Sequence, residues 1–172
     1  MGLDVDVWDI DRDARLWPGG TPAIAHPPCR TWGRLRHFAT KAPPDEHALA
    51  LLALALVRQY GGIVEHPQGS QLWPEAGLPQ PGKQRDEYGG WTLGIDQWWW
   101  GHRAQKRTLL YFVGIPPKAV QVPLRLGEPT HVVQSRKRTG SLPHIAKAER
   151  EQTPLALAIW LVALARIIEE RR

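Results

Sequence analysis

A chain of 172 residues is long enough for one domain with a real hydrophobic core. Its 42% hydrophobic and 23% charged content is ordinary for a globular protein, which sets aside disordered and fibrous classes. A formal net charge of +5 and a pI near 9.7 fit a polyanionic partner without requiring one.

The opening residues, MGLDVDVWDIDRD, are acidic and lack the basic-then-apolar layout of a signal peptide. Within them DVDVWDI (4–10) alternates polar and apolar residues, which predicts a short strand. A polar turn and WPGGTP follow, then PAIAH, a brief apolar run that predicts a buried strand ending at HPPC. From Asp45 to Tyr60 Ala and Leu dominate. Pro44 precedes this stretch, Asp45 can cap or complement its N-terminus, and Gly61-Gly62 stop it, so it reads as a helix. Ile63-Val64-Glu65 predicts a second buried strand, cut off by Pro67.

Strand, helix, strand in that order is a βαβ unit, with parallel strands and a right-handed crossover. Parallel strands end on the same edge of the sheet, where open α/β sheets bind ligands. Cys29 and Glu65 each lie at or just past a strand end, so topology alone brings them to one edge.

Residues 66–90 are rich in Pro and Gly and read as a long loop. WTLGIDQ and RTLLYFVG are further strand candidates, joined by WWWGHRAQK. Residues 115–142 form an irregular, proline-bearing segment that includes the basic run Arg136-Lys137-Arg138. The chain closes on a helix announced by Thr153-Pro154, an N-cap and first-turn pair. Its apolar run, Leu155 to Ile168, contains Arg166 and is too short to span a bilayer, so it reads as a buried helix and no membrane partner is expected.

The single cysteine, Cys29, excludes an intramolecular disulfide, and a reducing cytosol is the simplest compartment. Held after Pro27-Pro28 at a strand end, its thiol could be a nucleophile if Arg30 or Arg34 lowers its pKa. A small buried hydrophobe is the commoner fate of a lone cysteine. Glu65, at the end of a buried strand, can protonate or hydrogen-bond a ring nitrogen, or be a solvated carboxylate. Gln105 and Arg107 precede and open an apolar strand, where polar residues are usually just surface. His26, His37, His66 and His102 fall near these motifs, but no pair has the short spacing of zinc ligands. His26 and His66 read as polar residues lining the site. Nine tryptophans can stack on bases, but core packing is the commoner role for each.

HPPC at a strand end, a helix, VEHP at the next strand end and AQKRTLLYFVG later resemble the cytosine-C5 DNA methyltransferases. In that family a Pro-Cys loop carries the nucleophile, a Glu-Asn-Val-type segment the acid, and a Gln-x-Arg segment precedes an apolar strand. The resemblance implies a three-layer α/β, Rossmann-like methyltransferase fold with a reduced, mostly parallel sheet and one antiparallel strand. It implies one domain over residues 1–172, with the basic segment 115–142 in place of a long target-recognition region. Cys29 would attack C6 of a flipped cytosine, Glu65 would engage N3, and Arg107, placed by Gln105, would help fix base and acid. Pro28, Arg30, His66, Arg136, Lys137 and Arg138 would contact the DNA substrate. The antiparallel strand would start on the same edge as Cys29 and Glu65.

The resemblance also implies S-adenosylmethionine as cofactor, with Asp9 as the acid that holds its ribose. Departures are clear here. The Phe-x-Gly-x-Gly loop that cradles this cofactor is absent, and WPGGTPAIAH runs straight into the Pro-Cys loop. His66 and Pro67 replace the usual Asn and Val, and Leu109 stands where many members have a second arginine. Sequences of the HPPCRTWG and WWWGHRAQKRT type look like those of phages and prophages, which implies a bacterial cytoplasm. Two other readings stay open: an inactive nucleic-acid-binding or anti-restriction protein, and an enzyme acting on a pyrimidine nucleotide with another one-carbon donor.

Overall fold

The computed structural model describes residues 3–33, 36–123, 125–133 and 142–172. Arg34 and the run Arg136-Lys137-Arg138 lie outside the described residues. In chain order the main elements are β1 (Ala23–Ala25), α1 (Glu46–Tyr60), β2 (Gly62–Pro67), α2 (Leu72–Glu75) and β3 (Trp91–Asp96). They continue with β4 (Ala104–Gln105), β5 (Arg107–Val113), β6 (His131–Val132), α3 (Lys147–Glu151) and α4 (Leu155–Glu169).

The protein is mixed α/β, built on a four-stranded mixed sheet in the order β1-β2-β5-β3. β1 and β2 are parallel, with Ile24 opposite Ile63, and β5 runs antiparallel to both β2 and β3. Three strands therefore share one direction and β5 opposes them. The β1-α1-β2 unit is the one the sequence predicts. Pro67, which has no N–H to give, ends β2, and the next amide, Gln68, still donates to the Arg107 carbonyl.

Side chains alternate across β5, and each set meets a different helix. Leu109, Tyr111 and Val113 share a core with Val64 and with Ala50, Leu54 and Val57 of α1. Leu110 and Phe112 share another with Ile63 and with Leu157, Leu161, Leu164 and Ile168 of α4. These helix positions recur at three- and four-residue intervals, so each helix buries one stripe. A fully buried Leu such as Leu161 contributes about 2 kcal/mol by area. By length and composition alone, Lys147–Glu169 could cross a membrane. Here residues 152–154 separate α3 from α4, and the buried stripe of α4 faces the sheet.

Four local expectations are adjusted. Residues 4–10 are not a strand: the segment is irregular and then turns. Its alternation finds no neighbouring strand, Val5, Val7 and Ile10 stay exposed, and its carboxylates bond locally instead. Asp45 occupies the N-cap position of α1 without a side-chain capping bond and pairs with Arg15, so of its two expected roles only the complementary charge at the helix N-terminus remains. Thr153 likewise gives no cap to α4, whose N-cap position is Pro154. The loop over 66–90 contains the short helix α2, anchored by buried Leu72 and Trp73. None of the nine tryptophans is exposed, and five are buried, so most of this indole surface is spent on packing.

Candidate active site at the ends of the parallel strands

Because β1 and β2 are parallel, the loop after Ala25 and the end of β2 emerge side by side. His26 Nδ1 lies 3.0 Å from Glu65 Oε2, which ties the Pro-Cys loop to the acid directly. Cys29 follows three residues later and is exposed. Two anchors hold its loop. Trp32 is fully buried, donates from its indole to the His47 carbonyl, and stacks on the His47 ring at 3.7 Å between centroids. Its amide bonds the Cys29 carbonyl at 3.1 Å. Arg30 places Nε 2.7 Å from each oxygen of Glu46, the buried first residue of α1.

The guanidinium of Arg30 is thus committed to the helix rather than to the thiol. Partial desolvation, reinforced by the negative field of Glu65, pushes the Cys29 thiol above its ordinary range. Lys106 acts the other way on that thiol. At neutral pH the Cys29 side chain therefore rests as a thiol.

Glu65 has a partner on each oxygen. Oε1 accepts from Gln97 Nε2 at 3.2 Å, and Oε2 meets His26. The same Gln97 nitrogen donates to Thr108 Oγ1 at 3.1 Å, and Thr108 donates to the Lys106 carbonyl. Burial pushes the carboxyl pKa up, but the bond and charge of His26 and the fields of Lys106 and His66 outweigh it. The net direction is down, so Glu65 rests ionised.

His66 is fully buried, on the opposite face of β2 from Glu65. Its Nδ1 lies 2.7 Å from Ser70 Oγ, and burial pulls its pKa down to about 4. The Pro27 and Pro28 carbonyls lie near its ring, but Nε2 forms no well-aligned hydrogen bond, and the buried amide oxygen of Gln97 also lacks a partner.

The Gln-x-Arg segment is arranged differently from expectation. Arg107 does open β5 at the Cys29–Glu65 edge, opposite Asp96. Strand alternation, however, sets it with Leu109 and Tyr111, on the face away from Glu65. Gln105 is exposed in β4 and pairs with Val132 in a separate two-stranded sheet. Lys106 between them has the parity of Thr108 and acts electrostatically on both Glu65 and Cys29. Gln97, Lys106 and Thr108 were not singled out by sequence reasoning. Their signal was the parity of KRTLLYF, in which Lys106 and Thr108 align with Leu110 and Phe112. Pro28 is exposed on the loop between His26 and Cys29.

Asp9 sits in an exposed turn, its Oδ1 accepting from the amides of Asp11 at 2.9 Å and Arg12 at 3.4 Å. Engaged with its own turn and not at a strand end, this carboxylate does not fit a ribose-binding role. Among the described residues, Asp9 is therefore not placed to hold S-adenosylmethionine. Among the described residues no group of three or more His, Cys, Asp or Glu is arranged to hold a metal ion. Two open concavities, one beside Trp99 and Arg125 and one beside Lys83 and Trp91, contain neither Cys29 nor Glu65. No protein-family model, curated protein or solved structure matches the chain.

Proposed function

We propose that this protein acts on the cytosine ring in DNA by covalent addition, with the chemistry of the cytosine-C5 methyltransferase class and a reduced Rossmann-like, three-layer version of its fold. One observation carries the reading. Cys29 and Glu65, far apart in sequence, emerge at one sheet edge, linked by the His26–Glu65 contact.

The step balances without an added proton. Cys29 sulfur bonds to C6, the C5=C6 pair becomes a C4=C5 bond, and the C4=N3 pair moves onto N3. N3 takes up one proton as the thiol loses one. Glu65, held between Gln97 and His26, relays that proton and then hydrogen-bonds the new N3–H. C6 is unreachable inside a stacked duplex, so the base is flipped out, or the substrate is single-stranded. The net positive charge supports a DNA partner, and an exposed free thiol suits a bacterial cytoplasm.

No methyl-transfer step is assigned, because Asp9, the residue expected to hold the cofactor, is engaged in its own turn. That same misfit favours a second reading, a protein that binds DNA at this edge without turnover.

The test uses oligonucleotides carrying deuterium at C5 of cytosine. Reversible addition at C6 makes C5 nucleophilic, so the label exchanges with water and is lost. Label loss that disappears in Cys29→Ser supports addition. Full retention by the wild-type chain, with DNA binding intact, leaves the binder.

A further inference from the structure

We infer that Lys106, not Arg107, is the cationic positioning residue of this edge, poised so that its ammonium serves Cys29 and Glu65 together. The inference rests on reading those two as the reacting pair.

The geometry supports it in three ways. First, Lys106 immediately precedes β5, where the Gln97 amide bond to its carbonyl continues the pairing with β3, so its parity is that of Thr108, which reaches Glu65 through Gln97. Arg107 is exposed and has the other parity, that of Leu109 and Tyr111. Second, the Lys106 backbone is fixed at both ends. Its amide donates to Asp96 Oδ1 at 2.9 Å, and its carbonyl accepts from the Gln97 amide at 3.0 Å. Third, Lys106 Nζ donates to the Gln152 carbonyl at 3.1 Å, in the junction between α3 and α4. This anchor holds a flexible side chain at the edge and uses one of three donors, leaving two for the site.

The groups whose fields act on this ammonium come from each neighbouring element: Glu65 from β2, Cys29 from the Pro-Cys loop and Glu151 from α3. His26 and His66 complete the titratable set around Glu65. Two acids and a thiol around one lysine form an asymmetric field. Glu65 and Glu151 oppose thiolate formation at Cys29, and Lys106 favours it. Lys106 therefore offsets the cost of ionising the nucleophile beside an already ionised acid. Arginine at the next position cannot do so from the other face.

Cys29 is the only cysteine, so its ionisation can be read without any substrate. Iodoacetamide alkylation followed by intact mass, across neutral to alkaline pH, gives the thiolate profile. Lys106→Met keeps the aliphatic stem and removes the charge. It should move the profile to higher pH and slow alkylation about threefold on the acid side of the midpoint, half a pKa unit of lost field. Lys106→Arg should restore most of the rate, and Arg107→Met should leave the profile unchanged. Circular dichroism checks each fold, and Lys106→Gln repeats the comparison if the methionine variant does not fold. A wild-type profile in the Lys106 variants, or a shift of equal size in Arg107→Met, overturns the assignment. Failure of the cytosine reading shows instead in the deuterium exchange, which this measurement does not involve.

Discussion

The two ends of the central sheet are built on opposite terms. At one end Gly61, Gly62 and Gly114 let backbones and Ile168 approach closely. A Cβ on Gly62 would lie 2.0 Å from the Ala23 carbonyl oxygen, and one on Gly114 would lie 2.8 Å from the Ile168 side chain. At the other end stand Cys29, Glu65, His66, Gln97 and Lys106, and two buried polar atoms there lack partners. An unsatisfied buried polar group costs about 1–3 kcal/mol. That cost is concentrated at the end where the Cys29–Glu65 pair stands. The packed end supplies the stability that permits it.

If this contrast is right, mutations at the two ends should separate cleanly into losses of stability and losses of chemistry. The largest effect belongs to the packed end. Gly62 has φ of 131°, and an added Cβ meets backbone that cannot move aside. Gly62→Ala should destabilise by about 4 kcal/mol or more, enough to unfold a marginal domain, as urea titration would show. A change near zero would mean that β1 is free to shift, and the end is not rigid.

Cys29→Ser should do the reverse. The substitution is nearly isosteric and sits on an exposed loop residue, so the melting temperature should hold while C5 label exchange falls to background. With 5-fluorocytosine DNA, any adduct seen by intact mass should also vanish in this variant. Exchange persisting in the serine protein would remove Cys29 from the chemistry.

The pH dependence of folding should carry the signature of His66. Its folded pKa near 4 lies below the ordinary value of 6.5, so the unfolded chain binds the proton more readily. The His66 contribution is constant above pH 6.5, falls as pH drops from there towards about 4, and levels off below. The full span is about 3 kcal/mol. His66→Asn, which can keep a bond to Ser70, should flatten this window relative to wild type. Equal slopes in both proteins would show that the imidazole is wetter than its burial implies.

The smallest effect concerns DNA affinity. Neutralising Arg136, Lys137 and Arg138 should weaken binding across all sequences and reduce the salt slope by roughly one unit for each phosphate left without its cation. An unchanged slope would make the run a solvated segment.

The sequence by itself determined the β1-α1-β2 unit, because an Ala-Leu helix between two short apolar runs admits one crossover. It also determined that Cys29 and Glu65 share an edge, since parallel strands end together. The direction of β5 came only from family resemblance, and its pairing with both β2 and β3 was not legible. Nor could local alternation in residues 4–10 reveal that no strand lies beside it to complete a ladder.

Only the tertiary structure decided which neighbours each charge would have. Arg30 looked available to Cys29 and is held by Glu46, because the buried stripe of α1 carries that acid to the loop. Gln97 lies 32 positions from Glu65 and reaches it across the width of a strand. The Gln-x-Arg motif pointed to Arg107, whereas alternation along β5 puts Arg107 on the face away from Glu65 and gives Lys106, just before the strand, the parity of Thr108. Motif spacing is a one-dimensional property, but a strand shows alternate residues to opposite faces, and a shift of one position exchanges them.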